Sequence, residues 1–219
     1  MLSHNVGSHV VDEGSDAVTA TRARRTESEP VRRAQLLRAA RKVFRAKGYD
    51  GASISEIVRE AGVAQGTFYL YFPSKRDAAV SLRDGLMETM AQAGATAVKS
   101  HTSFEDRLQS LIAAGFKVAR RNADLFRLAF IGADETHPEM HSESKEHASC
   151  LTAITDLFRD AVDAREMEAM DPEIAARLAI GLLQHSMIEA FVFGEGEESD
   201  RLEQGVSALL LNALRRRTV

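Results

Sequence analysis

Along this chain apolar residues recur every third or fourth position and seldom alternate with polar ones, a pattern that predicts an almost wholly helical protein. Leu36, Ala40, Val43 and Phe44 draw the first stripe, on a helix from Val31 to Lys47 that stops at Gly48. Ser53 stands three residues before Glu56, a capping-box pair that opens a second helix carrying Ile54, Ile57, Val58 and Ala61, with Gly62 placed to end it. A brief turn separates it from a third helix, Gln65 to Phe72, on which Phe68 and Phe72 lie one turn apart and Pro73 forces a stop. Ser74 and Asp77 start a fourth helix running to Lys99, with Leu82, Leu86 and Met90 along one side; Ser103 and Asp106 start a fifth that stops near Asn122.

The second part of the chain continues in the same way. Ala123 to Ile131 is a short, very apolar sixth helix. Thr136 and Glu139, with Pro138 in the first turn, open a seventh helix that reaches about Arg165. Asp171-Pro172-Glu173 opens an eighth that reaches Phe193; Ile174, Leu178, Leu182, Met187, Ile188, Phe191 and Val192 cover more than one of its faces, which predicts burial on two sides. Ser199 opens the ninth, with Leu202, Val206, Leu209, Leu210 and Ala213 on one side and Arg215 to Arg217 at its negative end. Residues 1–30 lack apolar periodicity and are predicted to be a disordered tail whose Arg22, Arg24 and Arg25 lie just ahead of the first helix. The fold class is therefore all-α: a three-helix head over 31–76 and a helical-bundle body over 77–219.

Charge divides the chain in the same place. The net charge is -4, yet the stretch 22–76 holds thirteen Lys/Arg against five Asp/Glu, so a basic head sits on an acidic body. Such a division fits a protein that presents one face to DNA and another to a different partner. Cys150 is the only cysteine, which excludes an intramolecular disulfide and fits a reducing compartment; it is read as a buried small hydrophobe. No apolar run is expected to reach the length needed to cross a bilayer, and the N-terminus lacks a signal-peptide core, so a cytoplasmic location and no membrane partner are expected.

The second and third predicted helices, joined by a tight glycine-containing turn, form a helix-turn-helix, whose second helix enters the major groove. With Phe68 and Phe72 facing inward, Gln65, Gly66, Thr67, Tyr69 and Tyr71 are left outside: hydroxyls and an amide suited to phosphate oxygens and adenine edges, and a gap where backbone approaches closely. Arg32, Arg33 and Arg41 on the first helix would add sequence-independent attraction.

At these residues the chain resembles the TetR family of transcriptional regulators. Phe44, Gly48-Tyr49, Ser53, Ile57, Ala61-Gly62-Val63, Gly66-Thr67, Tyr69, Tyr71-Phe72 and Ser74-Lys75 follow the family pattern in order and spacing. The resemblance implies a three-helix DNA-binding head on a helical body that dimerises and senses a small molecule, with double-stranded operator DNA as partner. It implies phosphate contacts from Thr67, Tyr71 and Lys75 and places Ser53, Ser55, Gln65, Gly66 and Tyr69 among the DNA-facing residues. Many relatives carry Lys where Gln65 stands, which shifts phosphate attraction toward Lys75 and the first helix. The last two helices are expected to meet their symmetry mates as a four-helix bundle, making a homodimer.

Phe116, Phe126, Phe130, Met140, Phe158, His185 and Met187 are the candidate lining of an effector pocket, favouring an apolar or amphipathic ligand such as an acyl thioester, lipid or aromatic compound. His137 and His141 fall at the acidic start of the seventh helix, with His147 and Cys150 further along; no metal and no cofactor are predicted from them. No phosphate-binding glycine loop, nucleophile arrangement or carboxylate pair stands out, so no enzymatic activity is predicted. The expected protein is a repressor released from a palindromic operator by its effector. A DNA-binding architectural protein without an effector, or an enzyme that kept a helix-turn-helix for regulation, are the rival readings.

Overall fold

In the computed structural model, residues 28–131, 145–168 and 170–214 are described. Nearly all of the expected tail, the start of the seventh helix with His137, Met140 and His141, and the arginines after Leu214 lie outside them. The described residues contain no β-strand and form nine α-helices: α1 (Glu29–Lys47), α2 (Ile54–Ala61), α3 (Gln65–Tyr69), α4 (Lys75–Lys99), α5 (Phe104–Arg121), α6 (Ala123–Ile131), α7 (Lys145–Asp163), α8 (Pro172–Ile188) and α9 (Ser199–Leu214).

Most boundaries follow from local chemistry. The Ser53 and Glu56 side chains each accept the other's backbone N–H, the reciprocal cap expected of α2. Gly62 then takes the left-handed conformation, φ 67°, while its amide bonds Arg59 O and the amide of Val63 bonds Val58 O, closing α2 in a Schellman motif. Ser74, Ser103 and Asp171 cap α4, α5 and α8 through their side-chain oxygens. α1 starts two residues earlier than expected, with Pro30 tolerated in its first turn. α3 is shorter than expected: the amides of Tyr71 and Phe72 both bond Phe68 O, at 3.0 and 2.9 Å, turning the chain before Pro73. α8 gives way at Glu189 to a π-helical turn, Glu189–Phe193, which no apolar spacing announces.

The head, α1 to α3, packs on the body, α4 to α9, without a gap in the core. Leu36, Ala40, Ile57, Phe68 and Phe72 in the head and Ala78, Leu82 and Leu86 on α4 belong to one continuous buried cluster that extends to Phe116, Phe158 and Met187. α4 runs through both parts, packing on α1 at one end and on α5, α6 and α7 further along.

Two sequence expectations change here. Ile174 and Leu178 on α8 are 55% and 64% exposed, and Leu209 on α9 is 58% exposed, so α8 is buried on one side only in the single chain. Gly181 and Gly205 have open space around them on the same two helices. In addition, Pro172–Phe193, 22 residues long, is long and apolar enough to cross a membrane by length and composition, where no such run was expected. Its inner face packs on α7 and α9.

Candidate DNA interface and ligand cavity

The geometry of the head follows from which of its polar groups are already used. Gln35 on α1 donates to Ala61 O at 2.7 Å and is itself oriented by Arg32, 2.6 Å from its carbonyl oxygen; this fixes the end of α2 against α1. Phe68 and Phe72 are buried, with ring centroids 5.5 Å apart, and they set the rotation of α3. Gln65, Gly66 and Tyr69 are consequently exposed and Thr67 and Tyr71 half-exposed, while Ser55 on α2 is also exposed. Together they present an uncharged, hydrogen-bonding surface at the α2–α3 edge, as the amino-acid pattern predicted.

Two of the expected DNA contacts are engaged within the protein. The Ser53 hydroxyl donates to Glu56 Oε2 at 3.0 Å and accepts from the Glu56 amide, so its one proton serves the cap. Lys47 bonds the same carboxylate, and Lys47 first, then Ser53, hold the Glu56 carboxyl below its ordinary range. The Lys75 ammonium donates to Tyr49 O and Ala52 O at 2.8 and 2.9 Å and lies 4.4 Å from the centre of the Tyr49 ring. It pins the α1–α2 loop to the start of α4 and has one proton left for another acceptor. Lys75→Ala removes both bonds; Tyr49 O keeps the Ala52 amide while Ala52 O loses this donor, so thermal unfolding is expected to show a loss of about 1–3 kcal/mol in addition to any loss of DNA affinity.

The basic first helix also differs from expectation. Arg41 faces the body, where Nε and a terminal nitrogen each bond a different oxygen of Asp124 at 2.7 Å, a bidentate pair. Burial pushes the Asp124 carboxyl up, but the hydrogen bonds and charge of Arg41 outweigh it and hold the group below its ordinary value; the same hydrogen bonds raise Arg41. Arg33 lies 5.1 Å over the Phe72 ring and donates to Ser81 Oγ. Arg41 is thus a link between head and body and is not placed to attract DNA.

The body contains an apolar cavity of about 120 Å³ between α4, α5, α6, α7 and α8. Of the predicted lining, Phe126, Phe130 and Met187 reach it. Phe116 and Phe158 do not: they are fully buried in solid core, Phe116 against Phe191 with centroids 6.3 Å apart and Phe158 against Phe104 at 5.7 Å. His185 is exposed on α8. The apolar pattern missed Met87 and Met90 on α4, Leu111 on α5 and Ile154 on α7, which complete the wall, and Gln184 at its polar edge. Cys150 also lines the cavity, and burial pushes its thiol up, away from the reactive thiolate. Among the described residues no group of His, Cys, Asp and Glu could hold a metal ion.

α6 meets the first helix, the cavity and the π-helical turn. Its Asp124 holds Arg41 of the head, its Phe126 and Phe130 face the cavity, and its Arg127 donates to Phe191 O at 2.8 Å and Gly194 O at 3.3 Å, at the π-helical turn.

A helix-turn-helix set on a helical body with an apolar cavity defines a class of one-chain regulators, and comparison with known proteins places the chain within it. Residues 36–79 match the model for bacterial regulatory proteins of the tetR family, and residues 106–208 match that for the C-terminal domain of AefR-like transcriptional repressors. The chain belongs to the TetR family of helix-turn-helix transcriptional regulators. It is 28% identical to the uncharacterised regulator YvdT of Bacillus subtilis, over 75% of this chain and 85% of that one. To the transcriptional activator FasR of Mycolicibacterium smegmatis it is also 28% identical, over 73% of this chain and 70% of that protein. Its fold is similar to that of the regulator FadR from Bacillus subtilis, solved in complex with stearoyl-CoA: TM-score 0.70 at 21% identity, covering 82% of this chain and 98% of that one.

Proposed function

We propose that this regulator acts in the cytoplasm as a homodimeric repressor that binds a palindromic operator and releases it when a long-chain acyl thioester, or a molecule of similar amphipathic shape, enters the body. The observation that carries the reading is the cavity itself. Its wall is aliphatic, aromatic and thioether side chain, with Gln184 as a polar edge for the head of an amphipathic ligand. At about 120 Å³ it is smaller than the roughly 300–1,000 Å³ of sites for drug-sized molecules. An acyl chain entering it presses on α4, α6 and α8, and α4 and α6 are the body helices that pack on α1. The repressor C-terminal match and the ligand of the FadR structure support the same direction. The exposed faces of α8 and α9 support the dimer: Ile174, Leu178 and Leu209 with Gly181 and Gly205 make an apolar surface where backbones approach closely.

Selection of bound DNA from a random pool, followed by titration of the selected site with and without oleoyl-CoA, tests the reading. A two-fold symmetric site released by micromolar oleoyl-CoA is the expected result, together with a melting rise of the free protein on adding the thioester. Selection of asymmetric DNA, or no change in melting with acyl thioesters of any chain length, overturns it. An architectural DNA-binding protein would give the second of those results.

A further inference from the structure

We infer that Leu70 reads thymine in the operator, through apolar contact with the C5-methyl group in the major groove. At 3.6 residues per turn, the direction opposite Phe68 and Phe72 belongs to Gly66 and Leu70, which stand one turn apart. Leu70 keeps helical backbone angles, φ -69° and ψ -24°, so that geometry extends to it. Its side chain is 81% exposed, the most exposed of the large apolar residues described. Around Gly66, one turn before it, nothing approaches within 4 Å of where a Cβ would stand, which leaves a notch beside the Leu70 ridge.

These facts select one occupant. An exposed leucine gains nothing from phosphate, sugar hydroxyl or the polar edges of guanine and cytosine; the apolar feature that the major groove offers is the thymine methyl. Tyr69 beside it, 51% exposed, and Gln65 one turn before Tyr69 supply the hydrogen bonds that Leu70 lacks. The polar-residue pattern of the helix drew attention to the hydroxyls and the amide and passed over this position. The inference rests on operator binding by the α2–α3 unit.

The test uses the full chain and the site selected from random DNA, resynthesised with deoxyuridine in place of each thymine in turn, which removes only the methyl. For the unaltered protein, one thymine per half-site should be sensitive, at about fourfold in affinity per methyl and roughly fifteenfold when both half-sites are changed. For Leu70→Ala the same replacements should cost nothing, while discrimination against changed base pairs elsewhere in the half-site persists. Because Leu70 is exposed, Leu70→Ala should fold as the parent does; Leu70→Gln, in a second selection, should lose the preference for thymine at that position. Uracil sensitivity unchanged in Leu70→Ala, or absent from the parent at every thymine, overturns the inference while leaving operator binding intact. Failure of the parent to select any site removes the functional reading and this inference together.

Discussion

Leu209→Glu is expected to give a folded monomer that no longer holds its operator. Leu209 is largely exposed in the single chain, so a carboxylate there leaves the fold of one subunit undisturbed. In the proposed dimer the same charge is desolvated twice, once in each copy, at several kcal/mol for each unpaired ion. Every 1.4 kcal/mol is tenfold in affinity, so dimerisation should weaken by about a thousandfold or more. Two heads that must reach half-sites one helical turn or a multiple apart then bind independently, and the operator complex is lost although α1 to α3 are unchanged. Sedimentation and operator titration on one sample check both halves of this expectation. Leu178→Glu, on the neighbouring helix, should give the same result. A Leu209→Glu protein that stays dimeric and binds normally places the seam elsewhere.

The second large effect is expected at the link between head and body. Asp124→Asn removes the charge from the bidentate pair with Arg41 and should leave operator binding in place while weakening the response to an acyl thioester by about five- to thirtyfold, a coupling of about 1–2 kcal/mol. The reason is position: Asp124 and the cavity-lining Phe126 share α6, so a displacement of this helix reaches α1 through Arg41. Exchange of the two residues, Arg41→Asp with Asp124→Arg, should restore part of the response, because the charges still meet. An Asp124→Asn protein released as readily as the parent shows that the Arg41–Asp124 pair does not carry the signal.

The same pair sets a pH dependence. The Asp124 carboxyl lies below its ordinary value of 3.8 when folded, so its contribution is fully present above that value and is lost as pH falls through the folded one. Melting of the parent should drop more steeply than that of Asp124→Asn below about pH 4, and the two should run parallel near neutrality.

What the amino-acid order made legible was local. Ser53 with Glu56, Ser74 with Asp77, Ser103 with Asp106 and Asp171 before Pro172 each announce a helix start within four residues, and each cap is present. The inward rotation of α3 was legible from Phe68 and Phe72 for the same reason. The length of α3 was not, because the double use of Phe68 O is a choice between competing carbonyls that spacing does not express. Nor were the roles of Lys75 and Arg41, since their partners Tyr49, Ala52 and Asp124 lie 23 to 83 residues away along the chain. The pocket shows the limit most clearly. Helical period says which side chains point inward, and Phe116, Phe126 and Phe158 all do; which of them borders a cavity depends on the neighbours that tertiary packing brings, since Phe104 packs on Phe158 and Phe191 packs on both Phe116 and Phe126, yet only Phe126 also faces the open space.

The continuous core and the placement of the tyrosines have a practical consequence. The chain has no tryptophan, and its three tyrosines, Tyr49, Tyr69 and Tyr71, all belong to the helix-turn-helix region, whereas the cavity lining contains no tyrosine. Ultraviolet emission beyond that of phenylalanine therefore originates in the head alone. A ligand bound in the body is optically silent unless its binding is felt at α1 to α3, so the unlabelled protein separates occupancy, seen by calorimetry, from transmission, seen as a change in tyrosine emission.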